Sequence, residues 1–116
     1  SNGCDVILDA LRLLKWPRIE TLNLISAACS ADCNRNGINE AADSIGRLTV
    51  WIGEKDWALG LAGTKTGWLL GFGNLGLVGP KNTTRPIEVI REACGHGDWF
   101  NDARFDLTMA RLHFPV

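Results

Sequence analysis

The chain has 116 residues, a length typical of one domain, and its formal net charge is −1. Its twelve Lys and Arg residues are scattered along the sequence, which argues against a nucleic-acid-binding protein with a basic stripe. Apolar residues make up 46% and charged residues 22% of the chain, an ordinary composition for a globular protein with a single core. We therefore interpret residues 1–116 as one domain.

The first part of the chain, residues 3–48, is predicted to be helical. Apolar residues recur at the i, i+3, i+4, i+7 spacing of a helix at Cys4, Ile7, Leu8, Leu11 and Leu14. A second apolar stripe predicts that this helix is central in the fold, and Trp16-Pro17 is predicted to end it. Similar spacing predicts further helices over about 18–30 and about 38–48.

The middle of the chain, residues 49–80, is rich in glycine and tryptophan. Short apolar runs alternate there with turn-like pieces such as Gly53–Asp56 and Gly63–Thr66. This pattern predicts an antiparallel β-meander with strands near 48–52, 57–62, 67–72 and 75–78. The apolar runs do not alternate cleanly with polar residues, so we expect both faces of the sheet to be covered.

A membrane helix is the alternative for residues 57–78. The window is mostly apolar and long enough to cross a bilayer, and Gly63, Gly67 and Gly71 are spaced as in packed membrane helices. Lys65 inside the window and the many glycines oppose this interpretation. No membrane partner is therefore expected.

The last part, residues 82–116, is predicted to return to helix. A helix is expected from Pro86 to Cys94, ended by Gly95-His96-Gly97, and a second one is expected to begin at Asp98. The predicted fold class is thus α+β, in which N-terminal helices, a short Gly/Trp-rich antiparallel meander and C-terminal helices share one core.

The four cysteines leave two alternatives open. Cys4, Cys29, Cys33 and Cys94 could form two disulfides, which would favour a secreted or periplasmic protein. They could equally be free thiols on apolar faces, where Cys behaves as a small core residue and a cytoplasmic location stays open. Their spacing does not match a structural zinc site.

Residues 32–43 offer oxygen ligands at alternating positions around a glycine. Gly37 stands at the sixth position of this twelve-residue stretch, and its possible ligands are Asp32, Asn34, Asn36, Glu40 and Asp43. Locally the stretch resembles the loops of dockerin modules and other EF-hand-like repeats, and this resemblance implies weak calcium binding. It departs from that pattern at the eighth position, where Asn39 replaces an apolar residue, and the chain has no second such loop. The alternative is a polar connection between helices, with no cofactor.

The stretch "ACGHGDWFND", residues 93–102, is the candidate for catalysis. His96 lies between two glycines and is followed by Asp98, a carboxylate that could orient the imidazole as a general base. The other histidine of the chain, His113, could complete a small hydrolytic effector or toxin domain of nuclease-like or amidase-like activity. The alternative is a helix–helix turn in which Asp98 caps the second helix.

Three tryptophans fall in the middle of the chain, at positions 51, 57 and 68. Trp51, Trp57 and Trp68 could form a recognition face for another protein, or they could fill the core. Because no catalytic signature such as G-x-S-x-G or a P-loop is present, the favoured prediction is a non-catalytic interaction domain of the inhibitor, immunity or accessory type. The locations of His96 and His113 decide between the two functions: if both open into one cleft, the hydrolytic function is favoured, whereas a buried or solitary His96 supports the interaction domain.

Overall fold

A computed structural model describes residues 2–41, 43–62, 64, 65, 67, 73–96, 98 and 99. Within these residues the chain forms three helices and three strands in the order α1 Asn2–Leu13, β1 Ile19–Ile25, β2 Ile45–Gly53, α2 Trp57–Ala62, α3 Leu75–Val78 and β3 Glu88–Glu92. The strands form one parallel sheet with the order β1-β2-β3. The predicted antiparallel meander and the predicted C-terminal helices are therefore wrong for the described residues.

Strand β1 replaces the helix predicted over 18–30. Its sequence, IETLNLI, contains β-branched residues, and Leu22 and Leu24 are buried on one face at the period of a strand. Ile19 and Ile25 fit a helical stripe as well as a strand, so local spacing did not separate the two structures. Pairing with β2 along the whole length of β1, from Ile19 with Ile45 to Ile25 with Trp51, decides for the strand.

Four more local predictions are wrong. The helix predicted over 38–48 is a turn followed by the start of β2, and the helix predicted over 86–94 contains β3. Residues 57–62 and 75–78, predicted as strands, are the short helices α2 and α3. Among the predicted strands that fall within the described residues, only the one at 48–52 coincides with a strand of the structure. Most of the strand predicted at 67–72 and of the helix predicted after Asp98 lies outside the described residues.

Helix α1 begins and ends close to where the sequence predicts. It ends before Trp16-Pro17, where Lys15 and Trp16 both have positive φ and the Trp16 N–H donates to the Leu11 carbonyl at 2.8 Å. Its packing differs from the prediction, because Leu8 and Leu11 are buried whereas Leu13 and Leu14 are exposed. The helix therefore covers one face of the sheet and is not central.

The core has two parts, one on each face of the sheet. The larger part joins α1, β1, β2 and the connection after β1, and includes Leu8, Leu24, Val50, Ile52 and Leu75. The smaller part consists of Trp51, Cys94 and Trp99. Almost every residue of β2 is buried, which agrees with the prediction that the apolar runs are covered on both faces.

The segment around α3 is hydrogen-bonded to the chain that leaves β1. The Gly73 and Gly76 N–H groups donate to the carbonyls of Ala28 and Ala27 at 2.6 and 2.9 Å. A Cβ at Gly76 would lie 2.4 Å from the Ala27 nitrogen and 2.6 Å from Ser26 backbone atoms. Glycine at position 76 is therefore required by this close backbone approach.

In the part of the chain that the structure describes, we find no helix with the length and apolar character that crossing a bilayer requires.

All four cysteines are free thiols in this structure. Burial raises the pKa of the Cys29 thiol to about 12, and burial likewise raises the pKa of Cys4 and Cys33. Cys29 and Cys33 are side chains of the larger core, as the sequence alternative of free apolar thiols predicts. Because all four cysteines are free, no disulfide supports a secreted or periplasmic location.

The raised thiol pKa values predict a loss of stability at alkaline pH. An unfolded chain ionises its thiols near pH 9.0, whereas folded Cys29 stays protonated until about pH 12. Above pH 9 the unfolded state therefore binds fewer protons, and the free energy of unfolding should fall by up to about 1.4 kcal/mol per pH unit through Cys29. Urea unfolding between pH 8 and 10.5 measures this slope, and Cys29→Ala should flatten it.

A thiol titration of denatured, unreduced protein is the companion measurement. Four reactive thiols are expected, and two or none would show that the protein is oxidised and would restore the argument for export.

Candidate active site at the carboxyl edge of the sheet

The loops that follow the three parallel strands meet at one edge of the sheet. Ser26 follows β1 directly, Asp56 lies in the turn after β2, and His96 lies in the loop after β3. In open parallel sheets the carboxyl ends of the strands are the usual place for ligand and catalytic sites. The topology therefore brings together three polar side chains that are far apart in sequence.

A contact between His96 and Asp56 is the centre of this site. The Nδ1 atom of His96 lies 2.7 Å from Oδ2 of Asp56. The Asp56 side chain is fully buried, whereas 36% of the His96 side chain is exposed. An ionised carboxylate only accepts hydrogen bonds, so Nδ1 of the imidazole carries the hydrogen and Nε2 is the nitrogen that can exchange a proton with a reactant.

The carboxylate of Asp56 is fixed by its second oxygen. Oδ1 accepts a hydrogen bond from the Leu59 N–H at 3.0 Å, so Asp56 acts as the N-cap of α2. The Asp56 N–H itself donates to the Gly53 carbonyl at 3.0 Å, which closes the turn after β2. Both oxygens of the buried carboxylate therefore have partners, as a buried charge requires.

The loop after β3 holds His96 at the surface. The Lys55 N–H donates to the Cys94 carbonyl at 3.1 Å, which ties the start of the loop to the turn that carries Asp56. Asp98 Oδ2 accepts from the Gly95 N–H at 2.8 Å, so this carboxylate closes the turn around His96. The acid bonded to the imidazole is thus Asp56, and the role of Asp98 is to shape the loop.

Besides His96 and Asp98, the sequence names one more catalytic candidate. His113 lies outside the described residues. Cys94 is buried in the smaller core, where its thiol packs with Trp51 and Trp99.

Of the three tryptophans that could form a binding face, the two in the described part of the chain do not share one surface. Trp51 is buried, and its indole N–H donates to Oδ1 of Asn23 at 3.0 Å. Trp57 is 77% exposed at the start of α2, directly after Asp56. Trp68 lies outside the described residues.

Loop 32–43 is a network of amide hydrogen bonds. Asp32 Oδ1 accepts from the Asn34 N–H and from the Asn82 side chain, and these two bonds lower the pKa of Asp32. Asn39 bonds Oδ1 of Asn34 and the backbone of Asn82 and Thr84.

The other candidate calcium ligands also have places in the structure. Asn36 is buried, and its Oδ1 accepts a hydrogen bond from the Ile38 N–H. Glu40 forms an ion pair with Arg12 at 3.2 Å, and Asp43 is exposed. Among the described residues no group of three or more His, Cys, Asp or Glu side chains could hold a metal ion. Calcium binding by this loop stays a prediction.

Sequence reasoning missed Asp56 because it assigned that residue to a hairpin turn. A strand followed by Gly-x-x-Asp and a helix could have indicated an acid at the end of a parallel strand. A second signal is Ser1-Asn2-Gly3, in which Ser1 stands directly before α1 in sequence and Asn2 and Gly3 are the first residues of that helix. Its Ser-x-Gly spacing is that of the last three positions of the G-x-S-x-G motif, in which a serine between a strand and a helix is the nucleophile.

Comparison of the chain with protein-family models, with curated proteins and with solved structures gave no match.

Proposed function

We propose that this protein is a hydrolase of esters or amides that uses Ser–His–Asp chemistry. The observation that carries the proposal is the 2.7 Å contact between His96 Nδ1 and the buried carboxylate of Asp56 at the carboxyl edge of the sheet. A partly exposed imidazole oriented by a buried acid is the general base of such enzymes. This contact supports the amidase-like alternative from the sequence, with Asp56 instead of Asp98 as the acid that orients the imidazole.

We assign the nucleophile to Ser1. Hydrolases built on parallel sheets place the three residues in the chain order Ser, Asp, His, with the serine directly before a helix. Ser1, Asp56 and His96 occur in that order, and Ser1 precedes α1 in sequence. The first turn of α1 lies at the correct edge, since Cys4 Sγ is 3.7 Å from the carbonyl oxygen of Ile25, the last residue of β1.

Ser26, a serine that the structure does place at this edge, is less suited to attack a substrate. Ser26 is buried, and its hydroxyl oxygen accepts a hydrogen bond from the indole N–H of Trp99. A nucleophile must reach both the substrate and the base, so these contacts support a structural role for Ser26.

The chemistry assigns one task to each residue. His96 Nε2 takes the hydroxyl proton of Ser1 as its oxygen attacks the carbonyl carbon of the substrate. The imidazolium then gives this proton to the departing alcohol or amine, which leaves an acyl-serine. Nε2 then takes a proton from water as the water oxygen attacks the acyl carbon, and the imidazolium gives this proton to the departing serine oxygen, which releases the carboxylic acid. Asp56 holds Nδ1–H and stabilises the positive ring.

A fluorophosphonate probe tests the proposal, because it reacts with activated serines. We expect stoichiometric labelling of folded protein, and mass mapping should place the phosphonyl group on Ser1. Ser1→Ala should abolish labelling, whereas Ser44→Ala serves as the matched control and should not. Label on Ser26 would contradict the assignment of the nucleophile.

A folded protein that resists labelling would instead favour the non-catalytic interaction domain. One observation supports that second function: Trp57 and Leu61, one helical turn apart on α2, are 77% and 60% exposed, and large exposed apolar side chains are typical of protein-binding surfaces. Secretion or a periplasmic location stays a prediction in either case.

A further inference from the structure

The loop that carries His96 is anchored at its far end by one buried side chain. Trp99, three residues after His96, is 2% exposed and belongs to the smaller core. Its indole N–H donates to the hydroxyl oxygen of Ser26, at the end of β1. The loop therefore runs from β3 past the active-site edge and is tied to the opposite edge strand of the sheet.

The backbone of Ser26 is held in an unusual conformation at this anchor. Its φ is +48°, a region that residues with a Cβ rarely adopt. Such conformations persist where surrounding contacts fix them, and they are concentrated at functional sites. Here the Ser26 N–H donates a hydrogen bond to the Trp51 carbonyl oxygen at 3.4 Å, and the Ser26 hydroxyl oxygen accepts one from the indole N–H of Trp99.

Trp51 supports the same indole from a second direction. The rings of Trp51 and Trp99 pack edge to face at 90°, with their centroids 5.9 Å apart. The indole N–H of Trp51 bonds to Asn23, which lies within β1, away from the loop. The two tryptophans are thus similar in burial and bonding, but only Trp99 is part of the loop that carries His96.

From these contacts we infer that Trp99 and Ser26 are positioning residues for His96. Their hydrogen bond fixes the loop after β3 so that the imidazole stays against Asp56 with Nε2 directed outward. The inference deepens the proposed hydrolase function and rests on it. A general base needs such fixation, because a displacement of about 1 Å costs on the order of 10²-fold in rate.

Proton NMR provides a readout that does not depend on substrate. The Nδ1–H of a histidine bonded to a carboxylate gives a separate signal far downfield, and its loss in His96→Ala assigns it. We expect Trp99→Phe, which keeps the ring but removes the N–H, to broaden or abolish this signal. Trp51→Phe removes the equivalent N–H from the neighbouring indole and should leave the signal as in wild type.

The labelling rate with the fluorophosphonate should follow the same pattern. We expect a decrease on the order of tenfold or more in Trp99→Phe, a similar decrease in Ser26→Gly, and little change in Trp51→Phe. Ser26→Gly tolerates the positive φ and removes the CH2OH group that accepts the indole hydrogen bond, so it covers the case in which Trp99→Phe does not fold. Trp99→Phe and Ser26→Gly variants that keep both the downfield signal and the wild-type rate would overturn the inference.

These results separate the two proposals. If wild-type protein is not labelled at Ser1 but the downfield signal is lost in Trp99→Phe and kept in Trp51→Phe, the hydrolase proposal fails and the positioning role stands. If labelling depends on His96 and Asp56 but not on Trp99 or Ser26, the hydrolase proposal stands and the positioning role fails.

Discussion

His96→Ala should abolish fluorophosphonate labelling and also lower the melting temperature. It removes the base that activates the nucleophile, and it takes from the buried Asp56 carboxylate the described hydrogen-bond partner of its Oδ2 atom. Loss of a base in such a constellation lowers rates by roughly 10⁴-fold or more. Labelling kinetics followed by mass spectrometry, together with a thermal melt, measure both quantities.

Asp56 can be tested by two substitutions that separate its roles. Asn caps helices nearly as well as Asp, so Asp56→Asn should keep α2 capped while it removes the charge that holds Nδ1–H. Labelling should fall by roughly 10³- to 10⁴-fold with a small change in stability. Asp56→Ala also removes the cap at Leu59 and should cost about a further 1 kcal/mol.

Asp98→Asn is the matched control for the acid. Its side-chain oxygen can still accept from the Gly95 N–H, and it is not the acid bonded to the imidazole. Labelling should therefore stay within a few-fold of wild type. A strong loss in Asp98→Asn, with normal labelling in Asp56→Asn, would return the role of the acid to Asp98.

The second large effect is expected from Gly76→Ala. A methyl group at this position would overlap backbone atoms of Ser26 and Ala27, which cannot move aside as a side chain could. Overpacking of this kind typically costs 1–3 kcal/mol, and we expect a value near the upper end, about 3 kcal/mol. Because the overlap is next to Ser26, the variant should also disturb the downfield signal of His96.

Gly60→Ala is the matched control for that experiment. Gly60 is also a helical glycine, but a Cβ there would meet only a Leu77 methyl carbon at 3.7 Å, an ordinary contact. Alanine should therefore stabilise α2 by up to about 1 kcal/mol. Urea denaturation of both variants gives the comparison, and equal stabilities for Gly76→Ala and Gly60→Ala would contradict the close approach of α3 to the chain after β1.

The start of the chain shows which features of a fold can be predicted from local sequence patterns. The α1 helix and its end at Trp16-Pro17 were predicted, because a helix depends on spacing within a few turns and a proline acts on its direct neighbour. Even there the sequence did not predict which apolar stripe is buried. Leu8 and Val6 look alike in sequence, and only the position of the sheet makes one buried and the other exposed.

The strands were harder to predict because their stability comes from partners distant in sequence. IETLNLI and EVIRE fit helical spacing as well as strand spacing, and both are strands because β2 pairs with each of them in parallel. A parallel sheet has no hairpin turns that could reveal its strand order, since its connections are long crossovers. The Gly-rich pieces between the apolar runs resemble hairpin turns, and for this reason the sequence predicts an antiparallel meander instead.

The sequence by itself identified His96, between two glycines, as a candidate and predicted the strand at 48–52 with both faces covered, while it left the state of the four cysteines open. It did not determine the partner of His96, because Asp98 is close in sequence and Asp56 is 40 residues away. Only the tertiary structure joins these two, because parallel strands end at one edge of the sheet whatever the length of the chain between them.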